Sequence, residues 1–329
     1  MRLHAMAARE APPSEVPASP EAQSFHHLSV LLEPVLALVP ERARLFVDAT
    51  LGAGGHAEAL LARHPEAELF GCDRDGEAVE AARERLAPFA SRILLKRLPF
   101  SQLHHHVLLG SVDFLLADLG VSSPQLDRAE RGFSFTRDGP LDMRMEPEAG
   151  GRTAGELVNT ASHESLVHLF RTLGEERFAP RIATAILAER ARSAIATTGR
   201  LAQVVAAAVP ARFHRKGHHP ATKVFQACRM EVNDELGELE QLLDRTVDLL
   251  RPGGRVAVIS FHSLEDRLVK TAFRKWEQPC ECPPELPLCV CGKTPVGARV
   301  TRRPIGADPE EARANPRSRS AKLRAFEKS

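Results

Sequence analysis

No apolar run in the chain approaches the roughly 20 residues needed to cross a bilayer. The N-terminus also lacks the apolar segment of a secretory signal. Met1 to Gln23 is rich in Ala, Pro, Ser and Glu, and its acids speak against a transit peptide. Residues 1–24 read as a disordered tail. There is no disulfide framework either. Cys72 and Cys228 stand alone, while Cys280, Cys282, Cys289 and Cys291 are clustered. That pattern points to a reducing, cytoplasmic home. No internal repeat is visible. What remains is an ordinary globular composition, 43% hydrophobic over 329 residues, enough for two domains.

The formal net charge of +1 hides an uneven distribution. Between Arg181 and Arg229 there are nine Arg and Lys against one acid, Glu189. From Arg299 to Lys328 there are nine basic residues against four acids. Two basic stretches on a nearly neutral chain suggest an anionic partner larger than a metabolite. Either stretch alone reads equally well as a solvated surface.

Residues 25–126 alternate strands and helices. Strands are expected at 45–49, 69–72, 92–96 and 112–117, with helices at 55–63 and 76–87 between the first three. Val112-Asp-Phe-Leu-Leu-Ala117 is almost wholly apolar, as suits a strand covered on both faces. This is a doubly wound α/β pattern. Residues 127–221 contain no convincing strand. Helices at about 163–173, 178–195 and 200–209 make this an inserted helical domain, with Ser162 as an N-cap. The α/β pattern resumes over 222–329. It holds one long helix to about Leu250, a strand at 255–260, a helix near 264–276 and a Cys/Pro loop at 279–295. An edge strand at 321–327 closes it.

The most informative stretch is Asp48-Ala-Thr-Leu-Gly-Ala-Gly-Gly-His56. It follows the apolar Leu45-Phe46-Val47, so it reads as a turn between a buried strand and a helix. Glycine lets a ligand approach the backbone closely, and the helix N-terminus points its amides into the turn. The next strand ends in Asp73, where a carboxylate suits two ribose hydroxyls. A nucleoside-bearing cofactor is implied. Gly52-Ala-Gly-Gly-His-Ala57 also satisfies the dinucleotide fingerprint. The turn alone therefore does not separate a nicotinamide (NAD) oxidoreductase from an S-adenosylmethionine enzyme. The fourth strand runs on into Asp118-Leu-Gly-Val-Ser-Ser-Pro-Gln125. Its acid lies at the topological switch point, facing the reacting end of a bound cofactor. No hydride-acceptor machinery is evident.

At this point the chain resembles the bacterial 16S ribosomal RNA cytidine-N4 methyltransferases of the MraW/RsmH type. The resemblance covers nearly everything from His26 to Arg324. It is carried by His26-His27-Leu-Ser-Val30, the glycine turn, Asp73-Arg-Asp75, the Asp118 loop and Arg131-Gly-Phe-Ser-Phe135. It continues through Asp138-Gly-Pro-Leu-Asp-Met-Arg-Met145, Ala221-Thr-Lys-Val-Phe-Gln-Ala227, Ser260-Phe-His-Ser-Leu-Glu-Asp-Arg267 and Asn315-Pro-Arg-Ser-Arg-Ser-Ala-Lys-Leu-Arg324. Ala57 stands where the family pattern leads us to expect Ser. The fold implied is a Rossmann-like class I methyltransferase sheet carrying the helical insert. The resemblance implies that Gly54, Gly55 and His56 contact S-adenosylmethionine through the turn and that Asp73 takes the ribose. It places Phe100 on the adenine side, although Phe100 alone reads as core. Asp118 and Gln125 would lie toward the methionine end. The implied partner is 16S ribosomal RNA in the small ribosomal subunit, at a decoding-centre cytidine.

Cytosine N4 is a poor nucleophile, because its lone pair is conjugated with the ring. Acceptors on its amine protons would concentrate that lone pair. The Asp118 to Pro124 loop is expected to supply them, with Asp118 leading and Ser123 beside it. Attack at ring carbon C5 would need a cysteine nucleophile, and the one Pro-Cys pair, Pro279-Cys280, lies far from this loop in sequence. His262 and Ser263 reach the same sheet edge. They read either as base contacts or as a helix cap with Asp266. The target base must leave its stack, and Arg212, Arg215, Lys216 and Lys223 are expected to hold flanking phosphates. The four clustered cysteines could hold a structural zinc or be free thiols in a rigid loop. A non-catalytic RNA- or ribosome-binding protein is the remaining reading, against which the intact turn, Asp73 and Asp118 weigh.

Overall fold

The structure is a computed structural model that describes residues 29–214, 217–283 and 290–329. The N-terminal tail, Arg215, Lys216 and Cys289 lie outside the described residues.

Seven strands form one sheet: β1 (Leu45–Asp48), β2 (Glu68–Asp73), β3 (Ile93–Arg97), β4 (Val112–Asp118), β5 (Leu250–Ser260), β6 (Gly297–Arg299) and β7 (Lys322–Lys328). Their order is β3-β2-β1-β4-β5-β7-β6. The five strands from β3 to β5 are parallel, while β7 runs antiparallel to both β5 and β6. The chain moves outward from β1 to β3 and returns to β4 on the other side of β1. The switch point therefore lies between β1 and β4. This is the Rossmann-like sheet expected of a class I methyltransferase.

Side chains alternate across the sheet. Phe46, Phe114, Leu116, Ala257 and Ile259 enter one core with α1 (Leu32–Ala37), α2 (Gly55–Arg63) and α3 (Gly76–Arg85). Val47, Leu115, Ala117, Val256 and Val258 enter the other. That second core is covered by α10 (Glu235–Leu249) and α11 (Ser263–Glu277). Both faces are dry, which is why the strands read as apolar runs.

The insert packs around a third core. It follows α4 (Ser123–Asp127) and comprises α5 (Ala154–Thr160), α6 (His163–Thr172), α7 (Ala179–Arg190) and α8 (Thr198–Ala208). Ser162 caps α6 through the Ser165 amide. The α5 helix, which periodicity did not suggest, starts at a reciprocal capping box between Thr153 and Glu156.

The single helix expected over 222–250 is two helices, α9 (Thr222–Asn233) and α10, joined at Asp234 with φ 48° and ψ 43°. Asp is among the few residues that enter the left-handed region without large cost. The break is held from a distance. Asn233 donates to the Met143 carbonyl and accepts from the Met145 amide, both at 2.8 Å. Val224, Phe225, Ala227 and Cys228 of α9 belong to the insert core. The expected boundary at 221/222 thus runs through a packed layer.

Two further expectations are corrected. β7 is not an edge strand, because three-residue β6 pairs along its outer side. A Cβ on Gly297 would sit 2.0 Å from the Glu327 carbonyl, so β6 needs glycine where it meets β7. β5 begins at Leu250 rather than 255, with an irregular register around Asp113. There Asp113 takes the Arg251 guanidinium and the Arg44 and Leu45 amides.

Candidate active site

Parallel register places Asp48, Asp73 and Asp118 at the carboxyl ends of β1, β2 and β4, three neighbouring strands. Beyond these ends lies a cleft of about 340 Å³, within the size range of small-molecule sites. The turn after β1, Asp73, Phe100, Leu119 to Ser122, Gln125, Phe261 and Arg317 form its walls.

The turn is pinned on all sides. Asp48 accepts from the Thr50 amide at 3.1 Å, and the Leu51 amide donates to the Cys72 carbonyl at 2.9 Å. Gly52 donates its amide to Asp73 Oδ2 at 2.9 Å, and Asp75 donates to Oδ1 at 2.9 Å. Gly54 caps α2 at φ 78°, a conformation costly for other residues. Its α-carbon faces α3, where a Cβ would meet Ala82 and Leu86 at 3.4 Å. Gly52, Gly55 and His56 line the cleft, and Gly54 does not.

His56 Nε2 lies 2.9 Å from the Val30 carbonyl, while Nδ1 faces Asp118 Oδ2 at 3.8 Å. Asp118 Oδ1 is buried and has no hydrogen-bond partner among the described residues. Such an orphaned acceptor is costly without a ligand. Burial, followed by the charges of Asp48 and Glu265, holds the Asp118 carboxyl well above the usual range. Burial also raises Asp73 to about 6, against the pull of its backbone hydrogen bonds, and Asp48 to about 7. Two raised carboxyls lining one cleft, Asp73 and Asp118, favour a cationic ligand, which would restore their ionised form.

These carboxyls carry a stability consequence. The folded protein retains protons that the unfolded chain would release above pH 4. The associated stability is therefore lost as pH rises from about 4 to about 7. Asp48 alone accounts for up to about 4 kcal/mol, from the rise of 3.8 to about 7. Asp48→Asn keeps the acceptor for Thr50, so at pH 8 the ligand-free protein should gain about 2–4 kcal/mol. Denaturant titrations at pH 5 and pH 8 check this, and an equal gain at both would refute the sign.

Gln125 is held rather than free. Its Nε2 donates to Asp75 Oδ2 at 2.8 Å, and its Oε1 accepts from Ser122 at 3.0 Å. Asp75 also caps α3 and takes the Arg131 guanidinium at 2.9 Å. Ser123 opens α4 directly after the strand-tip loop.

His262 does not line the cleft, although its neighbour Phe261 does. It caps α11: Nδ1 accepts from the Glu265 amide at 3.4 Å, and Glu265 Oε2 accepts from the Phe261 amide at 2.9 Å. The expected Ser263/Asp266 cap is thus displaced by one residue. Glu265, one methylene longer than Asp266, reaches back to the strand end. Ser263 instead donates to Glu175, and Asp266 pairs with Arg324 and Lys322.

Arg229, Glu238, Asn315 and Arg317 also line the cleft. The C-terminal segment reaches it because Glu311 accepts from the Leu31 amide at 2.6 Å and Arg317 pairs with Asp127 at 3.0 Å. Sequence distance concealed this convergence. In the insert, Arg212 lies over the Phe213 ring at 4.9 Å, and Arg177 covers the same ring at 3.9 Å. Lys223 donates to the Glu175 carbonyl at 2.7 Å.

Comparison with known proteins decides the family, for the MraW methylase family matches residues 24–329. The chain belongs to the MraW methylase family. Among its MraW relatives, ribosomal RNA small subunit methyltransferase H of Symbiobacterium thermophilum is 49% identical over 310 residues, covering 93% of this chain and 97% of the relative. The Oleidesulfovibrio alaskensis protein of the same name is 51% identical over 308 residues, covering 92% and 95%. A solved putative rRNA-methylase from Clostridium thermocellum overlaps 91% of this chain and 95% of its own at 12% identity, with a TM-score of 0.40. No described helix is long and apolar enough to cross a membrane.

Proposed function

We propose that this MraW methylase transfers a methyl group from S-adenosylmethionine to the exocyclic N4 of a cytidine in 16S ribosomal RNA, in the decoding centre of the small subunit. The observation that carries the reading is the meeting of the glycine turn, Asp73 and the orphaned Asp118 oxygen in one cleft at the switch point. The close relatives are named ribosomal RNA small subunit methyltransferases, and nothing among them favours a nicotinamide oxidoreductase.

The donor set fits the group. Asp73 keeps lone pairs for ribose hydroxyls after accepting two amides. Phe100 offers a ring to the base, and Gly55 and His56 bring the start of α2 to the ligand. When bound, S-adenosylmethionine supplies a reactive methyl on a sulfonium. Asp118 meets the target amine, takes hydrogen bonds from it and draws lone-pair density onto nitrogen. Ser123 is the second candidate in this loop. His262, committed to its helix cap, contributes by fixing Phe261 at the cleft wall. The released proton passes to Asp118 or to solvent. Holding the amine at near-attack distance supplies several kcal/mol more.

The direct test incubates the protein with labelled donor and either naked 16S ribosomal RNA or small subunits lacking the modification. Nucleoside mass spectrometry should then show N4-methylcytidine. Methylation at C5, or none on either substrate, would overturn the reading.

The insert supplies the RNA grip in this proposal, through Arg212 and Lys223, with Arg215 and Lys216 in the same loop. Arg212→Ala should lower RNA affinity and reduce the slope of log affinity against log salt by about 1. Filter binding between low and moderate salt measures it, and an unchanged slope removes Arg212 from the footprint. Lys223→Ala should weaken binding less, because its ammonium already serves the Glu175 carbonyl.

A further inference from the structure

The described residues between α11 and β6 are largely exposed, yet the segment closes on itself. Val296 donates to the Trp276 carbonyl at 3.0 Å, and Arg299 donates to Glu277 at 3.1 Å, so the chain returns to its starting point. Between these bonds Cys280 is exposed, Cys282 and Cys291 are half-exposed, and Val290 is 77% exposed. None of the described residues 278–283 and 290–296 enters an apolar core.

Its sulfurs nevertheless converge. Single sulfur atoms of Cys280, Cys282 and Cys291 all lie within 4.8 Å of one another. A tetrahedral zinc with bonds of about 2.3 Å places its thiolates about 3.8 Å apart. Closing the gap therefore requires a shift of at most about 1 Å. The Val290 amide donates to Cys282 Sγ at 3.4 Å. The Lys293 ammonium, paired with Glu281, sits in the field of Cys280 and Cys291. A disulfide would employ two of the three sulfurs and would not account for a three-way convergence.

We propose that Cys280, Cys282 and Cys291 form a structural zinc site that ties the α11–β6 loop together. Binding converts three thiols to thiolates and releases three protons to solvent. A water completes the fourth position, and the Zn2+ ion with three thiolates then carries one net negative charge, which the Val290 amide and Lys293 offset. Cys289 lies outside the described residues, and the site is argued from the three sulfurs alone. None of the three cysteines lines the cleft described above, so the site is structural rather than catalytic.

The test uses full-length protein without a histidine tag, dialysed under reductant against zinc-free buffer. Plasma mass spectrometry should find about one zinc per chain. A Cys280→Ser, Cys282→Ser, Cys291→Ser triple variant should fall below about a tenth of that. Should the triple variant not fold, wild-type protein gives a second readout. Peptide mass spectrometry should show the three cysteines alkylating at least about tenfold more slowly with zinc than after chelation. Zinc below a tenth of a chain equivalent, equal alkylation rates, or a Cys280–Cys282 or Cys282–Cys291 disulfide surviving reductant would each overturn the site. None of these readouts depends on methyl transfer.

Discussion

Asp118→Asn should lower the rate of methyl transfer at saturating substrates by about 100- to 1,000-fold, the usual cost of removing one aligned transition-state partner. The side chain changes by one atom, so the packing around β4 is preserved. What is lost is an acceptor. Asp118 Oδ1 is a buried oxygen with no partner among the described residues, at the tip of a strand whose other residues are all buried. An amide in its place presents a donor or an uncharged acceptor and cannot take positive charge from the attacking amine. Affinity for S-adenosylhomocysteine, the demethylated product without the sulfonium charge, should stay within about threefold, since its sulfur carries no charge to be balanced at this position. Calorimetry with the product and single-turnover kinetics with labelled donor separate the two effects. Wild-type turnover in the variant would end the role assigned to Asp118. The pH profile adds a second arm. Burial keeps the carboxyl protonated well above its usual range. Activity of the native enzyme should therefore rise with pH as this group ionises, and the variant should lack that limb.

Much of this site was legible in the sequence because parallel strands buried on both faces leave a simple signature. Val112 to Ala117 could only be an interior strand, and the acid that follows had to face the ligand crevice. The helix at 55–63 was readable to the residue, since a glycine turn sets its start. The unread parts depend on contacts between residues far apart in the chain. The break at Asp234 is held by Asn233 bonding to Met143 and Met145, 90 and 88 residues earlier. No local propensity encodes that. β6 is three residues long, too short for a period of two to show. His262 is an unusual N-cap, and its identity follows from the reach of Glu265 rather than from its own preferences. Within the glycine turn, spacing could not say which glycine lines the cleft and which faces a helix. Gly54 faces α3 and does not line the cleft. Asn315 and Arg317 enter the cleft wall because Glu311 anchors on Leu31, a contact spanning 280 residues.

Asp73→Ala should act on binding where Asp118→Asn acts on rate. Asp73 is the brace between the glycine turn and the start of α3, through the Gly52 and Asp75 amides. Each hydrogen bond to a charged acceptor is worth about 1.5–3 kcal/mol. Removing both should free the turn and leave two amides to find water. The pocket would then have to be ordered by the ligand at the ligand's expense, in addition to losing the proposed ribose contact. Affinity for S-adenosylmethionine should fall by at least about 100-fold, or roughly 2.7 kcal/mol, and the unfolding midpoint of the ligand-free protein should drop as well. Turnover at saturating donor should fall by no more than about tenfold, because Asp73 touches neither the methyl group nor the amine in this arrangement. Asp73→Asn keeps one acceptor and sets an N–H against the other amide, so it should lie between wild type and alanine in affinity. Equilibrium dialysis and saturation kinetics on the same preparations decide the matter. If turnover collapses while affinity holds, the ribose lies elsewhere, and the cleft has been entered from the wrong end.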